Sequence, residues 1–337
     1  MEMQENIGVI GAGSWGTTLA DLLAKKGHNV TLWAYEPELV EEMTQTRSNS
    51  LFLPGISLSP ELKFTNVLQE AVAGKTVLLF VVPSQVTRSV IKSALPFISG
   101  SALIVSASKG IELDTLKTVS QIYEEILPQE LSANFSALSG PSFAREVAQE
   151  MPTAVAVASG RQDVAKHVQH TFTTRFFRVY TNDDVTGVEL GGAIKNVIAI
   201  AAGISDGLGF GHNTRAALIT RGLAEMTRLG RAMGAQTATF AGLAGIGDLV
   251  LTCTGDLSRN RSVGIKLGEG RRLAEILGEM RMVAEGVKTT ESAYNLASRL
   301  KVEMPITEKV YQVLYKDKPA REAVLELMTR DLKAEDF

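Results

Sequence analysis

A single lysine interrupts a long helical stretch of otherwise small and aliphatic residues, 189–207, "ELGGAIKNVIAIAAGISDG". An isolated ammonium in such surroundings is costly unless it is paired or its pKa falls. Helical spacing puts Lys195 on one face with Gly191, Ala199 and Ala202, while Ile194, Val197, Ile198, Ala201 and Ile204 fall on the other side. A lysine pulled down from its reference pKa of about 10.4 suits proton transfer near neutrality. A structural ion pair is the plainer alternative. Two later stretches offer it company. Asp248 follows the glycine-rich turn of "AGIGDLVLTCTG", either as a helix N-cap or as a partner for Lys195. In "LSRNRSVGIKLG", Ser258 reads as an N-cap followed by Arg259, Asn260 and Arg261. Free N–H groups, a positive dipole end and a guanidinium fork would together hold a phosphate monoester; a solvated basic turn is the alternative.

A second constellation stands at the N-terminus, in "IGVIGAGSWGTTLADLLAKKGHNVTLWAYEPE". An apolar strand runs directly into Gly11-Ala12-Gly13-Ser14-Trp15-Gly16, then a helix, then a second strand. The first glycine allows the tight turn, the second lets the backbone approach a pyrophosphate, and the third permits close helix–strand packing. The motif alone is weak, because glycine-rich turns are common, but strand, helix and second strand all fall where a dinucleotide site needs them. Glu36, about 20 residues on, lies near the place where an acid accepts the ribose 2′-OH of NAD. It reads equally as a solvated carboxylate before Pro37, and NAD versus NADP stays open. Lys109 in "SASKG" and Ser142 in "LSGPSFA" follow apolar runs whose strand ends would face the same crevice. Ser142 also reads as an N-cap. The four histidines, His28, His167, His170 and His212, show neither metal-ligand spacing nor a Ser–His–Asp signature.

The elements that must position these residues differ between the two halves. Up to about residue 183, apolar runs at 7–10, 29–34, 76–82, 102–107, 135–138, 153–159 and 177–180 alternate with helical patterns. Runs apolar nearly throughout suit parallel strands buried on both faces, and the alternation indicates a doubly wound α/β sheet. After "TNDD" (181–184) the pattern is helical with glycine-rich punctuation. The expected organisation is an α/β fold: a Rossmann-type dinucleotide-binding domain over 1–186 and an all-helical substrate-binding domain over 187–337.

Composition sets the outer bounds. The 337 residues suit two domains, and 45% apolar with 21% charged residues is ordinary for a soluble protein with a substantial core. A net charge of -3 gives no reason to expect nucleic acid or a membrane surface as partner. Cys253 is the sole cysteine, so no internal disulfide or cysteine-based zinc cluster is possible. No uninterrupted apolar run approaches the roughly 18 residues of a membrane span, and "MEMQEN" lacks a signal-peptide pattern. A cytoplasmic location is expected, without membrane insertion.

Taken together, "GAGSWGTTLA", "FLPG", "VVPSQ", "SKGIE", "SGPSFAREV", the run from "FRVYTNDD" through "ITRGLAEM", "GLAGIGDLVLTCT" and "SRNRSVG" resemble the bacterial NAD(P)-dependent sn-glycerol-3-phosphate dehydrogenases over residues 6–330. The resemblance implies a cytoplasmic homodimer that interconverts dihydroxyacetone phosphate and sn-glycerol 3-phosphate for glycerophospholipid synthesis, with no metal. It implies that Gly11, Gly13, Ser14, Trp15 and Gly16 hold the cofactor, that Lys109 reaches cofactor and substrate, and that Ala144 lines the nicotinamide pocket. Gly140, Ser142, Asp248, Ser258, Arg259 and Asn260 would hold the substrate. Lys195 would be the proton donor/acceptor, with Lys109 and Asp248 beside it in the catalytic set. Arg259, Val283 and Glu285 would close over the cofactor. NADPH is the cofactor such relatives prefer, yet Tyr35 stands at a cofactor-contacting position where many of them carry Arg or His. A related hydroxy-acid dehydrogenase with another substrate, or a dinucleotide sensor without turnover, is the alternative.

Overall fold

A computed structural model describes residues 4–280, 284–332 and 334–335. The chain divides into two compact units: residues 1–108 with 119–185, and residues 109–118 with 186–337. The first holds strands β1 (Asn6–Ile10), β2 (Asn29–Trp33), β3 (Lys63–Thr65), β4 (Val77–Phe80), β5 (Leu103–Ser106), β6 (Phe135–Ser139), β7 (Thr153–Ala158) and β8 (Phe177–Asn182). All seven apolar runs are strands. Only β3 escapes notice in the sequence, as a three-residue piece with exposed Lys63 at its start.

The strands form one sheet in the order β3-β2-β1-β4-β5-β6-β7-β8. Pairing is parallel from β3 through β6, so the chain doubles back between β1 and β4 as a doubly wound sheet requires. Beyond β6 the direction changes: β7 pairs antiparallel to β6, and β8 then runs parallel to β7. The connections explain this. Between β6 and β7 lies only the five-residue helix Ala144–Ala148, about 7.5 Å long at 1.5 Å per residue, too short to carry the chain back along a strand. The eleven-residue helix Gln162–Phe172 between β7 and β8 is long enough. Alternate residues of the central strands, among them Ile7, Val9, Val30, Leu32, Val77 and Leu79, are wholly buried in the core of this unit.

The second unit is helical. Its principal helices, labelled here in chain order, are α1 (Val185–Gly207), α2 (His212–Ala232), α3 (Asp248–Thr254), α4 (Arg259–Gly268), α5 (Glu285–Leu300), α6 (Pro305–Tyr315) and α7 (Ala320–Met328). A π-turn over Leu243–Gly247 leads directly into α3. In place of contiguous halves, the segment Lys109–Thr118 belongs with this helical unit. Ile111 is fully buried in the helical core, its carbonyl accepts a bond from Ser292 Oγ at 2.9 Å, and the Thr115 carbonyl accepts one from Arg299.

Helix α1 is buried on every side from Gly187 to Ser205. Length and a mean hydropathy of 1.4 would let it cross a membrane, as would the stretch 237–254, but α1 lies wholly within the helical core. Neither stretch is an uninterrupted apolar run in the sequence, because Glu189 and Lys195 break the first and Asp248 the second. Close packing around α1 depends on glycine. A Cβ on Gly203 would stand 2.1 Å from the Arg261 carbonyl oxygen, and one on Gly264 would stand 2.1 Å from that of Ile200. Gly207 and Gly268 repeat the contact one turn on, so α1 and α4 cross backbone to backbone. That crossing fixes where the N-terminus of α4 lies with respect to Lys195.

Candidate active site

The glycine turn of the first unit has the shape its sequence promised. Gly11 has φ +115° and its N–H donates to the Trp33 carbonyl at 3.0 Å, turning the chain at the end of β1. Its own carbonyl is so close to Gly16 that a Cβ there would stand 1.9 Å away. Around Gly13, by contrast, a Cβ would meet nothing within 4 Å, and no side chain caps the helix Ser14–Lys25 that Gly13 begins. Open space before uncapped helical N–H groups is what a pyrophosphate needs, so these residues fit a dinucleotide. Ser14 Oγ donates to the Phe52 carbonyl at 2.6 Å, and the Trp15 ring leans on Phe177 at 6.3 Å. Tyr35 is 79% exposed at the end of β2 with its edge against Trp33. Glu36 is exposed and precedes the helix Pro37–Thr46.

The loop after β6 belongs to the same unit. Gly140 has φ +150° and sits against Val155. Ser142 is not an N-cap: Phe143 occupies that position, and Ser142 Oγ donates back to the Gly140 carbonyl at 3.0 Å. Ala144 opens the short helix, and its carbonyl accepts a bond from Thr18 Oγ1.

The helical unit brings together three of the charged residues singled out by sequence. Lys109 Nζ lies 2.8 Å from Asp248 Oδ2, and Lys195 Nζ donates to Asp248 Oδ1. Asp248 is 1% exposed and Lys195 7%. One carboxylate thus serves two ammonium groups, one on each oxygen. Gly191, one turn before Lys195, makes the approach possible: a Cβ there would stand 2.2 Å from the Ala244 carbonyl of the π-turn that delivers Asp248. Burial pulls the Lys195 pKa down to about 7; Asp248 raises it and Lys109 lowers it further. Burial alone would push the Asp248 carboxyl up, but the two ammonium groups hold it below its ordinary value. Asp248 is the first residue of α3 rather than its N-cap. Cys253, a turn further along α3, is buried with its thiol pushed up to about 12 by desolvation, which makes it a poor nucleophile.

The N-terminus of α4 is built as anticipated in part. Ser258 is its N-cap and accepts from the Arg261 backbone N–H at 3.2 Å. Arg259 keeps an exposed part, but desolvation of the rest draws its guanidinium pKa below the ordinary value, and the nearby Glu285 carboxylate works against that shift. Asn260 is buried: its amide donates to Asn196 Oδ1 at 2.9 Å, and its Oδ1 accepts from the Gly286 N–H at 2.9 Å. Arg261 does not join an anion cradle. Asp206 takes its Nε and Nη2 at 2.8 Å, and Asp256 takes its Nη1. Val283 lies outside the described residues.

Three supporting residues escaped the sequence reading. Thr252 Oγ1 donates to the Asp248 carbonyl at 2.6 Å, Asn196 ties α1 to Asn260, and Asp206 gathers Arg215 and Arg261. A signal existed for two of them, since Asn196 and Asp206 are polar interruptions of the same apolar helix as Lys195. Among the described residues no group of three His, Cys, Asp or Glu side chains is placed to hold a metal ion.

A buried lysine with a lowered pKa has chemical use where a hydride leaves or reaches a carbon whose oxygen must change its proton. With a dinucleotide turn in the same chain, that defines a nicotinamide-dependent oxidoreductase. Comparison with known proteins narrows the class. Residues 6–165 match the family model described as NAD-dependent glycerol-3-phosphate dehydrogenase N-terminus, and residues 184–325 match its C-terminus counterpart. The chain is 75% identical over 333 residues to a glycerol-3-phosphate dehydrogenase [NAD(P)+] of Geobacter sp. strain M21, covering 99% of each. It is 72% identical to the Geobacter sulfurreducens protein of that name, again with 99% of each covered. The crystal structure of glycerol-3-phosphate dehydrogenase from Coxiella burnetii superposes with a TM-score of 0.93 at 42% identity, covering 97% of this chain and 99% of that one. The chain belongs to the NAD-dependent glycerol-3-phosphate dehydrogenase family.

Proposed function

We propose that the protein interconverts dihydroxyacetone phosphate and sn-glycerol 3-phosphate with NAD(P)H, and that Lys195 moves the proton. The observation that carries this is the sharing of one buried carboxylate, Asp248, between Lys195 and Lys109. The nicotinamide, when bound, supplies or accepts the hydride at the substrate's secondary carbon. Lys195 as an ammonium donates its proton to the ketone oxygen in reduction, and as an amine takes one from the hydroxyl in oxidation. Charge favours release: two ammonium groups and one carboxylate leave a net positive charge in a buried place, and loss of one proton neutralises it. Lys195 is the donor of the pair because it is the deeper, with 9% of its side chain exposed against 18% for Lys109. Lys109 adds positive charge against the developing oxyanion.

The α4 N-terminus, with Ser258, Arg259 and the remaining amide hydrogen of Asn260, holds the phosphate, so binding energy away from the reacting carbon orients it. Gly140 and Ser142 contribute to the substrate site. Gly11, Gly13, Ser14, Trp15, Gly16 and Ala144 contact the cofactor, as do Arg259 and Glu285. NADPH is the expected preference, although exposed Tyr35 offers an adenine a stacking face rather than a charge for a 2′-phosphate. The setting is the supply of glycerophospholipid backbone by a cytoplasmic homodimer that does not insert into the membrane.

The test is nicotinamide oxidation with dihydroxyacetone phosphate, run with NADPH and NADH in parallel and with unphosphorylated dihydroxyacetone as control. Rapid oxidation that needs the phosphate is expected. Cofactor binding without oxidation of either nucleotide would contradict the reading.

A further inference from the structure

The helical unit contains a cavity of about 590 Å³ away from the lysine cluster, walled by α2, α6 and α7 and floored by Ser205 of α1. Its volume falls in the range of small-molecule sites, roughly 300–1,000 Å³. Ser205 and Lys195 lie ten residues apart on one helix, about 15 Å along its axis and on different faces at 100° per residue. Thr214, Ala217, Leu218, Arg221, Glu225 and Arg228 recur at three- and four-residue spacing and present one face of α2 to the cavity. Ile306, Val324, Leu327 and Met328 make the opposite wall apolar.

The polar groups are unevenly satisfied. Glu225 is committed: its carboxylate accepts from the Ile306 and Thr307 N–H groups and from Thr307 Oγ1, closing the N-terminus of α6. Arg228 donates to the Glu303 carbonyl at 3.0 Å, and Arg330 pairs with the Glu303 carboxylate. Arg221 is half-buried and has no ion-pair or hydrogen-bond partner among the described residues. Ser205 is 1% exposed, and its hydroxyl also lacks a partner there. A buried polar atom left unpaired costs roughly 1–3 kcal/mol and calls for an explanation. A guanidinium without an acid, a hydroxyl without an acceptor and an apolar wall are complementary to one kind of molecule.

We infer that this cavity is a second binding site, which takes an amphipathic anion: a medium-length alkyl chain against the α6–α7 wall and a carboxylate or phosphate head on Arg221. The test uses the full chain and isothermal titration with decanoate and decyl phosphate, below their micelle concentrations; decanol and inorganic phosphate are the half-ligand controls. One molecule per chain of at least one anionic compound is expected, with each half-ligand at least about tenfold weaker, the worth of one charge-assisted bond. Preference between the two anions tells a carboxylate ligand from a phosphate one. Arg221→Gln should weaken binding about tenfold, and Ala217→Trp, from an exposed position of the wall, should abolish it by filling the space. Both variants should keep wild-type dehydrogenase turnover, which reports that the helical unit is intact. Absence of saturable binding, or affinities within twofold of wild type in both variants, would overturn the inference.

Discussion

Lys195 and Lys109 divide the two oxygens of Asp248 between them, and each group holds another in its working state. With the Lys195 pKa at about 7, the ammonium is present below that pH and the amine above it. Ketone reduction needs the ammonium, so kcat in that direction should fall as pH rises through about 7, and the oxidative kcat should rise through the same range. Asp248 raises the Lys195 pKa, so Asp248→Asn should move both inflections to lower pH. A pH–rate series on the variant that keeps the wild-type inflections would remove Asp248 from this role. At the other end of the substrate, Arg259→Ala should raise KM for the phosphorylated substrate about tenfold or more with a smaller effect on kcat, as loss of uniform binding does. An unchanged KM would place the phosphate elsewhere. At this scale the sequence was most legible for Lys195, because a lone ammonium in an aliphatic helix is an anomaly that asks for a partner. The partner of Arg261 was not legible, since nothing local announces that Asp206, 55 residues earlier in the chain, takes its guanidinium.

The elements are held in place by backbone contacts that only glycine permits. Gly264→Ala would press a Cβ on the Ile200 carbonyl at the α1–α4 crossing and should cost about 1–3 kcal/mol, as overpacking does. Gly278 lies within the helix Leu273–Glu279 with open space at its Cβ position, so Gly278→Ala should instead stabilise by about 0.5–1 kcal/mol. Urea midpoints of the two variants check the pair, and shifts of the same sign would refute the distinction. Gly13→Ala meets no protein atom, so it should leave stability unchanged yet weaken cofactor binding at least about tenfold. Fluorescence titration with NADPH reads this directly; wild-type affinity would move the pyrophosphate away from that turn. Strands were legible because sheets buried on both faces force apolar runs. The reversal at β7 was not, because strand direction depends on what the connection can span rather than on strand composition.

Across the whole molecule the proposed function separates two tasks, a glycine turn that fits a dinucleotide in the α/β unit and a cluster of two lysines on one carboxylate in the helical one. Alternation of strand and helix followed by unbroken helix makes that division visible in sequence. The transfer of Lys109–Thr118 to the helical unit is not visible, since Ile111 and Ser292, whose contact secures it, lie 181 residues apart. Separation of tasks makes the central claim open to one experiment on Lys195→Ala: turnover with dihydroxyacetone phosphate and NADPH, measured beside the dissociation constant for NADPH. The account predicts turnover reduced by at least about 10², as loss of a general acid entails, with cofactor affinity unchanged. Turnover near that of the wild type would contradict it.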